Sequence, residues 1–191
     1  MFLKNKYKEF WLWFKNKSNE IFNFENNEDN ILDKLHYELH KINENLTFEF
    51  SPINNNKREF IISADGIREA FNDVEKLFET KPLLDKWEII KFRQRGDINN
   101  YITINNISVY PENIRYLLFP HDKKIELILY IKNYNINQEV NKQIGYIFLD
   151  NALGEYDVEM KIGGIKFCDY NTEYFEQSSS IETLREDFDK L

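Results

Sequence analysis

One cysteine, Cys168, stands in 191 residues, so an internal disulfide framework is excluded and a reducing compartment fits. Proline and glycine are scarce, at 4 and 6 residues, which favours regular elements joined by short turns. A basic excess is missing. The 25 Lys and Arg residues face 33 Asp and Glu, a formal net charge of −8, which disfavours a general nucleic-acid binder and favours solubility. No long apolar run is present either. The cluster Phe10-Trp11-Leu12-Trp13-Phe14, set among lysines, is too short for a signal-peptide core or a bilayer span, and no small-residue cleavage site follows it. Those absences lead to an expectation of a cytoplasmic protein with no membrane span. What is present is enough apolar material for a core, 42% hydrophobic and 16% aromatic, so the chain is not disordered. Asparagine is abundant, as in "SPINNNKREF", consistent with AT-biased coding and a low-GC bacterium.

Periodicity gives an alternation of helices and strands. The N-terminal aromatic stretch reads as a helix that packs its rings on the body of the domain, or as one that meets a membrane surface or partner. Ile31, Leu35, Leu39 and Ile42 recur at helical spacing. "LTFEF" and "EFIIS" read as strands joined by a hairpin-like loop, and "GIREAFNDVEKLFET" as an amphipathic helix ended by Pro82. "KWEIIKFR" is a strand. "YITINNISVY" is a small hairpin turning at Asn105-Asn106, and "IRYLLF" with "IELILYIKN" is a larger one. The second arm of the larger hairpin is apolar on both faces, as a central strand would be. "QEVNKQIGYIFLDNAL" is a helix with Gly154 as its C-terminal cap. "YDVEMKI" alternates as a strand would, turning at Gly163-Gly164 into "IKFCDY". "SSIETLREDF" opens with Ser179 and Glu182 at capping-box spacing. The expectation is one α+β domain over residues 1–191, its helices packed on a largely antiparallel sheet.

Chemistry-bearing residues are few. Asp65, in "FIISADGIREAF", reads as an N-terminal helix cap beside Gly66, or as a working carboxylate at a strand end. His36 and His40 stand one helical turn apart, but "HYELH" lacks the metalloprotease pattern and no third ligand is near, so no metal site is expected. His121 lies in a turn and Cys168 alternates with apolar residues, as a core thiol does. Lys91, Arg93 and Arg95 share one side of a strand end and suit a phosphate, an acidic partner or the protein's own carboxylates. Glu155, Asp157 and Glu159 form an acidic face, with Glu155 and Asp157 the expected partners of the arginines.

The segments I-S-A-D-G, K-W with F-R-Q-R, and L-G-E-Y-D, with the aromatic "FWLWF", resemble a family of uncharacterised bacterial cytosolic proteins, a domain of unknown function. The resemblance covers most of the chain, implies that these segments belong to one domain, and brings no catalytic residue with it. Two functions remain open. One is a non-catalytic interaction module, an adaptor or immunity-like protein with a protein partner. The other is an enzyme or small-ligand binder whose site gathers Asp65, Arg93, Arg95 and Glu155. Neither calls for a cofactor, and oligomeric state is left open.

Overall fold

A computed structural model describes residues 5–135 and 139–191. The first residues of the aromatic N-terminal stretch, 1–4, and Gln138, at the start of an expected helix, lie outside the described residues. The architecture is α+β. The chain divides into two compact units, one ending at Arg93 and one beginning at Gln94.

The first unit begins with helix α1 (Lys6–Phe22), whose free N–H groups at Tyr7 and Lys8 are capped by the Asn5 side chain. The aromatic run is core: Phe10, Trp11, Phe14, Ile21 and Phe22 are buried on one face, while Leu12 is exposed. The Trp11 indole donates to the Leu77 carbonyl at 2.8 Å, so its one polar atom is satisfied inside the core. Helix α2 (Glu28–His40) buries Leu35 and Leu39. Strand β1 (Thr47–Phe50) pairs antiparallel with β2 (Arg58–Ser63), and Asn55 and Asn56 supply the positive φ angles of the loop between them. Helix α3 (Phe71–Glu79) then carries the chain over to β3 (Trp87–Lys91), which is parallel to β2. A helix between two strands permits that direction where a tight turn does not. The sheet order is β1-β2-β3. Phe60, on the middle strand, stacks on Phe14 with ring centres 4.9 Å apart, and Phe14 meets Trp87 edge-on at 5.1 Å.

The second unit opens with the hairpin β4 (Ile102–Ile104) and β5 (Ile107–Val109), turning at Asn105-Asn106 with both φ angles positive. Strands β6 (Ile114–His121) and β7 (Lys124–Ile131) form the long hairpin. Helices α4 (Glu139–Leu153) and α5 (Glu155–Lys161), strand β8 (Ile162–Cys168), the short β9 (Ser179–Ser180) and helix α6 (Leu184–Phe188) complete it. The sheet order β8-β7-β6-β9 puts β7 inside, as its two-sided apolar pattern requires. Leu127, Leu129 and Ile131 join Ile144, Phe148 and Leu149 of α4 in one core. On the opposite face Tyr130 is buried against Phe175 and donates to the Glu173 carbonyl at 2.8 Å.

Two local expectations are corrected. "YDVEMKI" is mostly helix α5, not a strand. Its alternation is short, and Val158 and Ile162 stand equally well at i, i+4; Gly154, at φ 83°, redirects the chain from α4 into a second helix. Gly163 and Gly164 lie inside β8, where an added Cβ would come within 2.6 and 2.4 Å of the Glu126 carboxylate. They make room for that side chain and are not a turn. At the C-terminus, Ser180 and not Ser179 caps the helical segment: the Ser180 hydroxyl accepts from the Glu182 N–H at 3.4 Å, and both serines pair with β6.

Candidate functional site

The turn Ala64-Asp65-Gly66-Ile67 answers for Asp65. Asp65 and Gly66 both have positive φ, at 54° and 76°, and the Ile67 N–H closes the turn on the Ala64 carbonyl at 2.9 Å. Asp65 therefore caps no helix. Its own N–H donates to the Ser63 hydroxyl at 3.0 Å, and its exposed carboxylate meets Arg93 Nη1 at 2.7 Å. Glu49, one strand away, takes the Arg93 Nε.

Arg93 reaches these carboxylates because β3 ends at Lys91 and Phe92 takes φ 61°. That left-handed residue breaks the strand alternation, sends the Phe92 ring into the core against Phe71 (4.5 Å), and releases Arg93 from the face that Lys91 occupies. The expected common face of Lys91, Arg93 and Arg95 is thus not formed. Lys91 meets Glu75 at 3.5 Å. Burial weakens the Arg93 charge, but Glu49 and Asp65 outweigh it and hold the guanidinium more firmly protonated than usual. Such a group binds and orients; it does not exchange protons at working pH.

Arg95 belongs to the second unit. It forks onto Asp189, at 2.6 and 2.7 Å, touches Asp157 at 3.3 Å, and donates through Nε to the Leu153 carbonyl at 3.1 Å. Asp157 was the expected kind of partner; Asp189, far along the chain, was not foreseen. Glu155, 1% exposed, lies in the first turn of α5, where a carboxylate complements the positive helix end. Of the four singled-out residues, Asp65 and Arg93 meet within the first unit, and Arg95 and Glu155 are placed in the second.

Other polar networks gave no motif in the sequence. Arg58, 3% exposed, grips Glu25 and the Phe22 carbonyl among the rings of Phe22, Phe24 and Phe50. Its signal was parity: it shares an inward face of β2 with Phe60 and Ile62. Asp73 accepts from Tyr7 at 2.6 Å and from Asn43 at 2.9 Å, with Lys6 at 2.9 Å. Burial and that carboxylate push the Tyr7 phenol up to about 12. In the second unit burial and the Asp187 carboxylate push Tyr116 up to about 12 as well.

His36 and His40 are exposed with ring centres 3.9 Å apart, and among the described residues no group of three or more His, Cys, Asp or Glu is placed to hold a metal ion. An open cavity of about 320 Å3 on the outer face of the four-stranded sheet is lined by Ile128, Tyr130, Lys166, Cys168 and Tyr174, under the segment after β8. Cys168 is buried, as expected. Among the described residues no helix is long and apolar enough to cross a membrane.

The β4–β5 hairpin has the clearest division of faces. Ile102, Ile104, Ile107 and Val109 pack on the core. The opposite face presents Tyr101, Thr103, Ser108 and Tyr110 to solvent. The two tyrosine rings lie 5.2 Å apart, and the two hydroxyl side chains are joined at 2.7 Å. Comparison with protein-family models, with curated proteins and with solved structures returns no match.

Proposed function

We propose that this is a non-catalytic interaction module, a cytoplasmic bacterial protein that acts by binding another protein. The observation that carries the reading is the outer face of the β4–β5 hairpin. Tyr101 and Tyr110 are 59% and 44% exposed, yet their rings are fixed side by side by a hairpin anchored through its isoleucines. Rigid tyrosines contribute large amphipathic contact area at low entropic cost, and neighbouring hydroxyls add adaptable hydrogen bonds. Tyrosine is among the residues enriched at protein-recognition hot spots. The net charge of −8 favours a partner with a cationic surface and works against nucleic acid.

A photo-crosslinking amino acid at Thr103, introduced in the native host, tests this. A discrete polypeptide adduct is expected, and it disappears in a Tyr101→Ser/Tyr110→Ser variant that keeps its circular dichroism spectrum. Absence of any polypeptide adduct, or an adduct that survives the double substitution, refutes the reading.

A further inference from the structure

Strand β8 forms one edge of the four-stranded sheet and, among the described residues, pairs only with β7. Its sequence, IGGIKFC, has no proline and no acidic residue, and Lys166 is its one charge. Among the described residues no backbone hydrogen bond beyond the β7 pairing reaches residues 163–168. Alternate N–H and C=O groups of this strand therefore face outward without a protein partner. Natural sheets blunt such edges with proline, lysine, bulges or very short strands. Strand β8 has seven residues and no proline, and its devices of this kind are Lys166 and the register shift that leaves Gly163 without a partner on β7, so residues 164–168 keep a regular pairing edge.

The side chains beside the edge show what fits it. Glu126 of β7 pairs with Gly164, and its carboxylate lies over Gly163 and Gly164, 2.6 and 2.4 Å from where a Cβ would stand, so a side chain at either position would displace it. Lys166 lies on that same face two residues on. Among the described residues neither Lys166 nor Glu126 has an ion-pair partner. On the helix side, Phe167 is flanked by Tyr146 at 5.2 Å and Tyr134 at 6.1 Å, and Tyr146 is 43% exposed. The strand thus carries a basic side chain at one position, a glycine gap with a carboxylate above it two positions away, and an aromatic flank that is only partly covered.

We propose that β8 pairs antiparallel with β8 of a second copy, making a two-fold dimer with one continuous eight-stranded sheet. With Ile165 opposite Ile165 of the second copy, Lys166 stands across from Gly164 of that copy and beneath its Glu126. Two-fold symmetry makes this ion pair twice. The same register sets Phe167 across from the glycine segment, where no side chain obstructs it. The neighbouring register, centred on Lys166, puts two lysines face to face and is disfavoured. Backbone pairing supplies attraction, the glycine gap and the charges select the register, and the Phe167, Tyr146 and Tyr134 flank adds apolar area that strand pairing alone lacks. This surface is distinct from the tyrosine face of the β4–β5 hairpin, and the inference does not depend on that reading.

Sedimentation velocity over a concentration series tests it, read to about 1 mM, where binding amounts to only about 4 kcal/mol. The wild type is expected to move from one to two chain masses of 23.2 kDa. Lys166→Glu, at an exposed position, is expected to weaken the dimer at least about tenfold through like charges at both symmetric contacts. Lys166→Glu/Glu126→Lys is expected to restore it, and Tyr101→Ser/Tyr110→Ser to leave it unchanged. A wild type that stays monomeric throughout overturns the proposal. So does a dimer indifferent to Lys166→Glu, or a weakened single variant that the charge swap does not rescue.

Discussion

Replacing Arg58 with alanine removes a buried cation from the centre of the first unit. Its guanidinium donates to the Phe22 carbonyl at 2.9 Å and pairs with Glu25, and its Cζ lies 4.7 to 5.9 Å from the rings of Phe24, Phe22 and Phe50. Truncation leaves the Phe22 carbonyl without that donor, at about 1–3 kcal/mol. It also forfeits the ring contacts, at about 0.5–2 kcal/mol, and leaves space among the aromatics. Glu25 offsets part of this because its side chain is 54% exposed and returns to water. Relief of a desolvated guanidinium, whose Nε finds no partner among the described residues, offsets more. The net cost of Arg58→Ala is about 3 kcal/mol. Arg58→Met fills the space without a buried charge and is expected to cost less than half as much. Urea unfolding followed by tryptophan fluorescence isolates the effect, since Trp11, Trp13 and Trp87 all lie in the first unit. A loss below about 0.5 kcal/mol in the alanine variant, the range of an ordinary surface substitution, refutes the reasoning. Equal losses in the two variants would show that space-filling contributes nothing. The hydrogen bonds from Arg58 lower the Glu25 pKa, so its contribution is present above the ordinary carboxylate range and lost as pH falls through the lowered value. The stability difference between wild type and Glu25→Gln is therefore expected to close on acidification.

Asp65→Asn and Asp65→Gly keep a residue that tolerates φ 54° and should stay within about 0.5 kcal/mol of wild type, whereas Asp65→Val is expected to cost about 1–2 kcal/mol in the same assay. A silent valine variant would contradict the turn. Gly145→Ala improves helix propensity but sets a Cβ 2.5 Å from the Phe167 ring and 3.1 Å from Leu129, so thermal unfolding should show a net loss of about 1–3 kcal/mol. A stabilised variant would show that the α4–sheet contact is looser than described. Tyr7 and Tyr116 hold their protons to about 12 while unfolded tyrosines release theirs near 10.0. The folded state then binds more protons than the unfolded one, so stability falls as pH rises from 10 to 12. Denaturation at stepped alkaline pH should show a smaller fall in Tyr7→Phe and Tyr116→Phe, and identical curves would exclude the linkage.

Local pattern alone located most elements. Helical spacing at Leu35 and Leu39, the Asn-Asn hairpin and the two-sided apolar β7 were legible because propensity and periodicity act over a few neighbouring residues. Composition alone, with one cysteine and an acid excess, excluded an internal disulfide and set the expectation against a general polyanion binder. Local pattern failed where two periods fit equally. "YDVEMKI" satisfies period 2 and i, i+4 together, and packing against the sheet selected the helix. The course of Arg93 and Arg95 was illegible for another reason. A single left-handed residue, Phe92, buries its ring against Phe71 and breaks the strand alternation at Arg93. The parallel pairing of β2 with β3, the Arg95–Asp189 fork and the open edge at β8 are likewise decisions of tertiary structure. Each joins residues distant along the chain, and which distant groups meet depends on how whole elements bury their apolar faces, a sum over the fold that no local window contains.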